Sequence, residues 1–153
     1  MPVYLVQHGR AYPETHDPDR PLTEAGKTEV DRIAQLASKY SVPVSQVLHS
    51  GKTRARQTAE IMASYLNPSL GVKEIKGINP NDDVTEIPKN LNPLKNIMLV
   101  GHLPFLEKLV SYLITGTKDK TIIKFQYGGI VCLDKDSSNQ FWHVKWALMP
   151  DMK

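Results

Sequence analysis

Three short apolar runs along the chain predict buried β-strands. They lie within Val3–Gly9, Val44–Ser50 and Ile97–His102. Each run is rich in β-branched and aliphatic side chains, is too short for a helix, and ends beside a glycine. A fourth and weaker run covers Val72–Ile75. The run that ends at His102 has the strongest strand pattern in the sequence.

Between these runs, apolar residues recur at helical spacing, which predicts amphipathic helices packed on a sheet. The first helix begins after an N-cap at Thr23 and continues to about residue 40. The second begins near residue 52 and stops at Asn67–Pro68. The third follows the run that ends at residue 102 and stops near Gly116. Strands that alternate with helices in this way predict an α/β fold.

The remaining segments predict loops and edge strands. Residues 10–21 are polar and contain several prolines, which favours a surface loop. Residues 79–96 are also polar and interrupted by prolines, which predicts a long loop with no more than one helical turn, suited to the wall or lid of a pocket. Three later segments predict strands at the sheet edge: Ile122–Ile123, Gly129–Leu133 and Phe141–Leu148, the last two joined by a turn over 135–139.

Composition narrows the class of protein. A chain of 153 residues fits one domain over residues 1–153. No apolar run approaches the roughly 20 residues of a membrane span, and the N-terminus lacks the pattern of a signal peptide, so we expect no membrane contact and a cytoplasmic location. The lone Cys132 lies between apolar neighbours, which predicts a buried thiol in a reducing compartment. The net charge of +3 favours an anionic ligand only weakly, and no stripe of basic and aromatic residues indicates nucleic-acid binding.

Polar side chains follow three of the predicted strands: Gln7 and His8, then Arg54, then His102. Taken singly, each has an ordinary structural explanation, such as a histidine that caps a strand or an arginine in solvent. The carboxyl ends of parallel strands share one sheet edge, however, so we expect these groups to meet. Two histidines and an arginine in the first turn of a helix suit a phosphoryl group. The histidine and cysteine spacings match no metal motif, so we expect neither a metal nor a cofactor.

Four sequence blocks together resemble the histidine phosphatase (phosphoglycerate mutase-like) superfamily, and within it the small SixA-type phosphohistidine phosphatases. The blocks are Leu5-Val6-Gln7-His8-Gly9 with Ala11, Arg20-Pro21-Leu22-Thr23 with Gly26, residues 47–59 around Ser50, Arg54 and Gln57-Thr58-Ala59, and Leu99-Val100-Gly101-His102-Leu103-Pro104. They occur in the family's order and span most of the chain. The short length favours the SixA-type branch over the mutases and phytases.

The resemblance implies a three-layer α/β/α sandwich with a mostly parallel central sheet. It also implies that His8 attacks phosphorus to form a phosphohistidine intermediate, which water then hydrolyses. Arg54 and His102 would be the other catalytic residues, and Gln7, Gly9, Arg54 and His102 would bind the phosphate. The implied partner is a phosphohistidine-bearing protein of the histidine phosphotransfer type, or a small phosphorylated molecule.

The chain departs from the family pattern in two places. The family usually has Arg-His-Gly where this chain has Gln7-His8-Gly9, so a neutral amide replaces a guanidinium. Arg10 or Arg56 could supply the lost charge, and Arg10 is the better candidate because Arg56 should lie on another face of its helix. The change weakens a phosphate contact without removing it, since an amide still donates a hydrogen bond.

The second departure concerns the general acid that larger family members use. Asp82 and Asp83 are candidates, although Asn-Pro-Asn-Asp-Asp is also ordinary turn chemistry. A phosphoimidazole needs less help from an acid, because its leaving group has a pKa near 6.5. Of the other histidines, His49 is expected to be structural and partly buried, and His16 and His143 to lie on the surface.

Three functions therefore stay open on the sequence. The leading prediction is a phosphatase for phosphohistidine in a signalling or phosphotransfer protein. The alternatives are a phosphatase for small phosphomonoesters and, because of Gln7, a catalytically weakened module that binds phosphate or phosphoproteins.

Overall fold

A six-stranded mixed sheet with helices on both faces forms the fold. The computed structural model describes residues 2–91, 94–138 and 141–153. No helix in these ranges is long and apolar enough to cross a membrane. The elements in chain order are β1 (Val3–Gln7), α1 (Glu24–Lys39), β2 (Gln46–His49), α2 (Thr53–Leu66), β3 (Val72–Glu74), α3 (Glu86–Asn90), β4 (Ile97–Gly101), α4 (Phe105–Thr115), β5 (Ile130–Lys135) and β6 (Trp142–Leu148).

The strand order in the sheet is β3-β2-β4-β1-β5-β6, which puts β1 inside the sheet with β4 on one side and β5 on the other. Strands β1 to β4 pair in parallel, whereas β5 pairs antiparallel with both β1 and β6. The carboxyl ends of β1, β2 and β4 therefore lie at one edge of the sheet. This arrangement confirms the predicted α/β sandwich with a mostly parallel sheet.

Two apolar cores cover the two faces of the sheet. On β1, Tyr4 and Val6 face the core shared with α1 and α2, whereas Val3 and Leu5 face the core shared with α3 and α4. Every residue of β1 is buried. A strand with helices on both faces has no solvent side, and for this reason it reads in the sequence as a continuous apolar run.

The helix ends follow the predicted local chemistry. Thr23 caps α1 by accepting a hydrogen bond from the Gly26 N–H at 2.9 Å. Asn67 ends α2 with a left-handed backbone at φ 48°, and Gly116 ends α4 at φ 82°. In the loop predicted over 79–96, α3 supplies five residues of helix.

The predicted edge strands needed two corrections. Ile122–Ile123 is not a strand: β5 already pairs with this side of β1, and the two isoleucines instead lie in an irregular segment where Ile123 packs against the core and Ile122 is 40% exposed. Strand β5 is not at the edge, because β6 lies outside it. The predicted turn over 135–139 includes Asn139, which lies outside the described residues.

A β-bulge lets the edge strand β6 contribute to both cores. Leu133 pairs with Val144 while the preceding Cys132 pairs with Trp146, so Lys145 is the extra residue. As a result, Val144 packs on the α4 side and Trp146 packs on the α1 side. Strict alternation would have placed both side chains on one face, so the sequence pattern alone does not predict this division.

Close backbone packing joins α1 to the turn after β1. A Cβ atom built on Gly9 would lie 2.7 Å from Cγ2 of Val30 on α1, and one built on Gly26 would collide with the backbone oxygen of Arg10. Residues 9 and 26 thus need glycine for close approach, although neither has a positive φ.

We expect Gly26→Ala to destabilise the fold, even though alanine is the better helix former by up to about 1 kcal/mol. The new methyl group meets backbone, which cannot give way as a side chain does, so a cost of about 1–3 kcal/mol is expected. Chemical denaturation measures it. Gly101→Ala is the comparison, since its Cβ would meet nothing nearer than 3.6 Å. A Gly26→Ala variant as stable as the parent would contradict the packing described for the turn.

Candidate active site

His8 follows β1 directly and is held in one orientation. Its backbone N–H donates to the Gly101 carbonyl at 3.0 Å, which extends the pairing of β1 with β4 by one residue. Its side-chain Nδ1 lies 2.7 Å from the Gly9 carbonyl oxygen. A carbonyl can only accept, so we assign the proton to Nδ1, and the neutral ring then carries its lone pair on Nε2. This is the nitrogen that a nucleophilic histidine would use.

The turn at Gly9 is itself fixed from α2. The Gly9 N–H donates to Oγ1 of Thr58 at 3.0 Å, and the Gly9 carbonyl accepts from His8. Both backbone groups of Gly9 are thus occupied in orienting the turn. The phosphate contact expected of Gly9 stays a prediction.

His102 follows β4 and lies beside His8. The centroids of the two rings are 5.1 Å apart, and His102 Nε2 lies 2.6 Å from Oγ of Ser50. The His102 side chain is buried, with the residue only 2% exposed. Its Nδ1 has no hydrogen-bond partner among the described residues. A buried polar atom without a partner is costly, so this nitrogen is available to a ligand.

Arg54 lies in the first turn of α2, as predicted. Its Nε is buried and, within the described part of the chain, also has no partner. Lys52 precedes the helix, and the first turn has neither an acidic residue nor a side chain that caps the backbone N–H groups. Cations at the positive end of a helix are unfavourable unless an anion is bound there. This helix end is therefore suited to an anionic ligand.

Burial and positive charge keep both histidines neutral. Burial lowers the pKa of His8 to about 4; its hydrogen bond to Gly9 opposes the shift, and the charges of Arg54 and Arg20 add to it. Burial likewise lowers the pKa of His102 to about 3, with further contributions from His8 and nearby cations. At pH 7 His8 is thus unprotonated, the form that can donate an electron pair.

Arg20 belongs to the Arg-Pro-Leu-Thr block of the sequence and lies close to the site. Its charge helps to lower the pKa of His8, of His102 and of Arg54, so it lies within electrostatic reach of all three. Its backbone is left-handed at φ 48°, and its Nε donates to the Tyr12 carbonyl at 3.0 Å. The signal for Arg20 was its place in the Arg-Pro-Leu-Thr block.

Gln7 and Arg10 line one cavity of about 390 Å³ together with Tyr127. The Tyr127 ring lies 5.7 Å from the ring of His8, and the Arg10 guanidinium lies over Tyr127 at 5.4 Å from its centroid. Arg10 also pairs with Glu29 at 3.0 Å. Arg10 is thus near the site with its charge partly compensated, and its replacement of the missing arginine stays a prediction, as does the phosphate contact of Gln7.

Arg56 pairs with Glu60 at 3.2 Å on the exposed side of α2, which confirms that it points away from Arg54. His49 is buried more fully than expected, and its Nδ1 accepts from the Gly51 N–H; its structural role stays a prediction. His16 and His143 are exposed, as expected. Cys132 is a buried free thiol.

The candidate general acids line a second cavity, of about 590 Å³, which reaches Ser50. Asp82 accepts from the Asn79 N–H, and Asp83 accepts from the backbone and hydroxyl of Thr85. These last bonds lower the pKa of Asp83, which disfavours the protonated form that an acid needs. An acid role for either residue stays a prediction.

Two further observations concern ligands. Across residues 2–91, 94–138 and 141–153, no three histidine, cysteine or carboxylate side chains come together as metal ligands would. An apolar cavity of about 480 Å³ lies beside Tyr4 and Trp146, and none of His8, Arg54 and His102 lines it.

Comparisons with known proteins identify the family of this chain and structures with a similar fold. The family model described as histidine phosphatase superfamily (branch 1) matches residues 3–79. The phosphohistidine phosphatase SixA of Escherichia coli (strain K12) is 29% identical over 158 residues, covering 98% of this chain and 94% of that protein.

Two solved structures are also similar over nearly the whole chain. The protein histidine phosphatase SixA complexed with tungstate has a TM-score of 0.84 at 28% identity, covering 98% of this chain and 97% of that one. The putative phosphohistidine phosphatase SixA from Agrobacterium tumefaciens has a TM-score of 0.79 at 26% identity, covering 97% of both chains. With its family model matched over half its length, this chain belongs to the histidine phosphatase superfamily, branch 1.

Proposed function

We propose that this chain, acting as a single domain over residues 1–153, is a phosphatase that hydrolyses phosphohistidine on a protein. One observation carries the proposal: Arg54 Nε and His102 Nδ1 are buried without partners among the described residues, beside a histidine whose Nδ1 is already bonded to a carbonyl. A phosphoryl group would give both nitrogens an acceptor. The similarity to SixA, which was solved with the oxyanion tungstate, supports the same assignment.

In the first step, His8 Nε2 attacks phosphorus as the phosphorus–nitrogen bond to the substrate breaks. The substrate ring takes a proton from solvent on its other nitrogen, so it leaves as neutral imidazole with the electron pair of the broken bond, and the phosphoryl group is carried by His8. Arg54 and His102 hold the phosphoryl oxygens, with Gln7 and the turn at Gly9 beside them. Such contacts act most strongly where negative charge shifts in the transition state.

In the second step, water attacks the phosphorus of phospho-His8. The phosphorus–nitrogen bond breaks, inorganic phosphate leaves, and His8 returns to its neutral form. The Gly9 carbonyl keeps the Nδ1 proton in place through both steps, because Nδ1 bonds to it at 2.7 Å. The reaction consumes one water for each phosphate released.

The choice of phosphohistidine over a phosphoester follows from the leaving group. A phosphohistidine ring protonated on its other nitrogen leaves as neutral imidazole, whose conjugate acid has a pKa near 6.5, so it departs without an acid at the bond that breaks. The two candidate acids, Asp82 and Asp83, accept hydrogen bonds from nearby backbone N–H groups, and the pKa of Asp83 is lowered. A site whose candidate acids are poorly suited to protonate a leaving group suits a phosphoramidate better than an alkyl phosphate.

The first prediction concerns phosphoryl transfer to His8. A phosphotransfer domain carrying radioactive phosphohistidine should pass its label transiently to this chain and then to free phosphate, as measured by rapid quenching. His8→Ala should form no labelled intermediate while its circular dichroism stays unchanged. Phosphate release by His8→Ala at the parent rate would refute the mechanism. Label that never leaves the donor would instead favour a phosphoesterase or a binding module, which a panel of small phosphoesters separates.

The second prediction concerns Gln7. A neutral hydrogen bond contributes about 1 kcal/mol and a charged one about 1.5–3 kcal/mol. We therefore expect Gln7→Arg to raise the single-turnover rate about tenfold. Arg56→Gln is the matched control, which should change the rate little because Arg56 pairs with Glu60 on the exposed side of α2. An unchanged or lower rate in Gln7→Arg would show that this side chain does not contact the phosphoryl group.

The third prediction concerns pH. His8 reacts only when unprotonated, and its pKa lies near 4 rather than at the ordinary value of 6.5. The rate of phosphoryl transfer should therefore not fall between pH 7 and about pH 5, and should decline only as the pH approaches 4. Single-turnover labelling measures the rate, with the His8→Ala reaction subtracted as the acid-catalysed background. A decline centred near pH 6.5 would show that His8 is not held neutral in this way.

A further inference from the structure

Thr58 is a fully buried polar residue in the middle of α2, and the phosphoryl chemistry does not use it directly. Its neighbours on the same helix face, Ala55, Ala59 and Met62, are apolar and buried. Threonine is a poorer helix former than alanine, and burying a hydroxyl is costly unless its hydrogen bonds are satisfied. A hydroxyl at this position therefore calls for a specific partner.

The hydrogen bonds of Thr58 can be assigned in one way. A backbone N–H only donates, so Oγ1 must accept from Gly9 at 3.0 Å. The single hydroxyl proton then goes to the Arg54 carbonyl, one helical turn earlier, at 2.8 Å. Serine or threonine can make both bonds, whereas valine, with the same shape as threonine, can make neither.

Thr58 affects the reacting nitrogen of His8 indirectly, through the backbone of Gly9. Thr58 fixes the Gly9 N–H, and with it the plane of the peptide bond between His8 and Gly9. The Gly9 carbonyl lies in the next peptide, between Gly9 and Arg10, which joins this plane at the Gly9 Cα, and it accepts the proton of His8 Nδ1 at 2.7 Å. That bond selects the tautomer with the lone pair on Nε2 and sets the direction of the ring. The same hydroxyl donates to the backbone carbonyl of Arg54. One side chain therefore contacts both the turn after the nucleophile and the residue that carries the cation.

The neighbouring Gln57 acts on another loop. Its Oε1 accepts from the Leu22 N–H at 2.7 Å, next to the segment that carries Arg20. Adjacent polar residues of α2 thus hold the two loops that bring His8 and Arg20 to the site. This accounts for the Gln-Thr pair of the sequence block, of which only Arg54 had been given a role.

We propose that Thr58 is a positioning residue that orients His8 through the Gly9 peptide and selects its reactive tautomer. The proposal rests on the proposed function, since it assigns His8 as the nucleophile. Thr58 itself touches no reacting atom. Its effect should appear in the rate of phosphoryl transfer and in the state of the His8 ring, with little change in substrate binding.

The test compares Thr58→Val, Thr58→Ser and the parent protein. Misplacing a reacting group by about 1 Å can cost about 100-fold in rate, so we expect Thr58→Val to lower kcat by about 10- to 100-fold with KM nearly unchanged. Thr58→Ser keeps both hydrogen bonds and should restore the rate to within about threefold of the parent. Thr28→Val is the matched control, because Thr28 on α1 makes the same bond to a carbonyl four residues earlier but is exposed.

The tautomer is read separately, by nitrogen-15 NMR of the histidine ring in the free protein. The parent and Thr58→Ser should show His8 with its proton on Nδ1, and Thr58→Val should show a mixture of the two tautomers. All variants are measured at a temperature where circular dichroism shows them folded. Should Thr58→Val not fold at any temperature, Thr58→Ser decides: a loss of kcat above tenfold there would overturn the proposal, since its hydrogen bonds are intact.

Parent-like kcat and tautomer in Thr58→Val would also overturn it, and so would equal losses in Thr58→Val and Thr28→Val. The outcome for the proposed function is distinguishable. If the parent transfers no phosphoryl group at all, the proposed function fails, while the NMR comparison still reports whether Thr58 selects the His8 tautomer.

Discussion

The pairing of β1 with β4 is the interaction on which the rest of the site depends. These neighbouring strands run in parallel, and their hydrogen bonding continues one residue past β1, from the His8 N–H to the Gly101 carbonyl. His8 and His102 therefore leave the sheet side by side, with ring centroids 5.1 Å apart. Because the side chains of β1 are buried between helices on both faces, the position of His8 is determined by core packing rather than by a flexible loop.

Positive charge gathered at this sheet edge gives the site its chemical character. Arg54 lies at the positive end of α2, Lys52 precedes it, and the charge of Arg20 reaches the same histidines. Such crowding costs stability in the free protein, since like charges and a helix dipole oppose it. Unfavourable charge interactions of this kind are common at functional sites, and a bound phosphoryl anion would offset the repulsion between these cations. The nearby cations also help to keep His8 and His102 neutral. Burial is the largest cause of their lowered pKa values, and the cations lower them further.

Local patterns were sufficient to predict most of the fold. The continuous apolar runs of β1 and β4 reflect burial on both faces, and the N-cap at Thr23 and the left-handed residues Asn67 and Gly116 mark helix ends through chemistry confined to a few neighbours. The predictions failed where a strand depends on partners far away in the sequence. Ile122–Ile123 has strand-forming side chains but pairs with no strand in the described part of the chain, and the bulge at Lys145 that lets β6 contribute to two cores leaves no mark in the local sequence pattern.

The sequence by itself determined the residue types at the site and their places at strand and helix ends, because apolar runs, glycines and first-turn positions are local properties. His8, Arg54 and His102 were predicted as site residues in this way. Only the tertiary structure decided the contacts that orient and tune them: the Thr58 hydroxyl on the Gly9 N–H, the reach of the Arg20 charge, and the pairing of Arg10 with Glu29. Hydrogen bonds and electrostatic interactions between residues distant in sequence depend on how the elements pack in three dimensions, which no local pattern specifies.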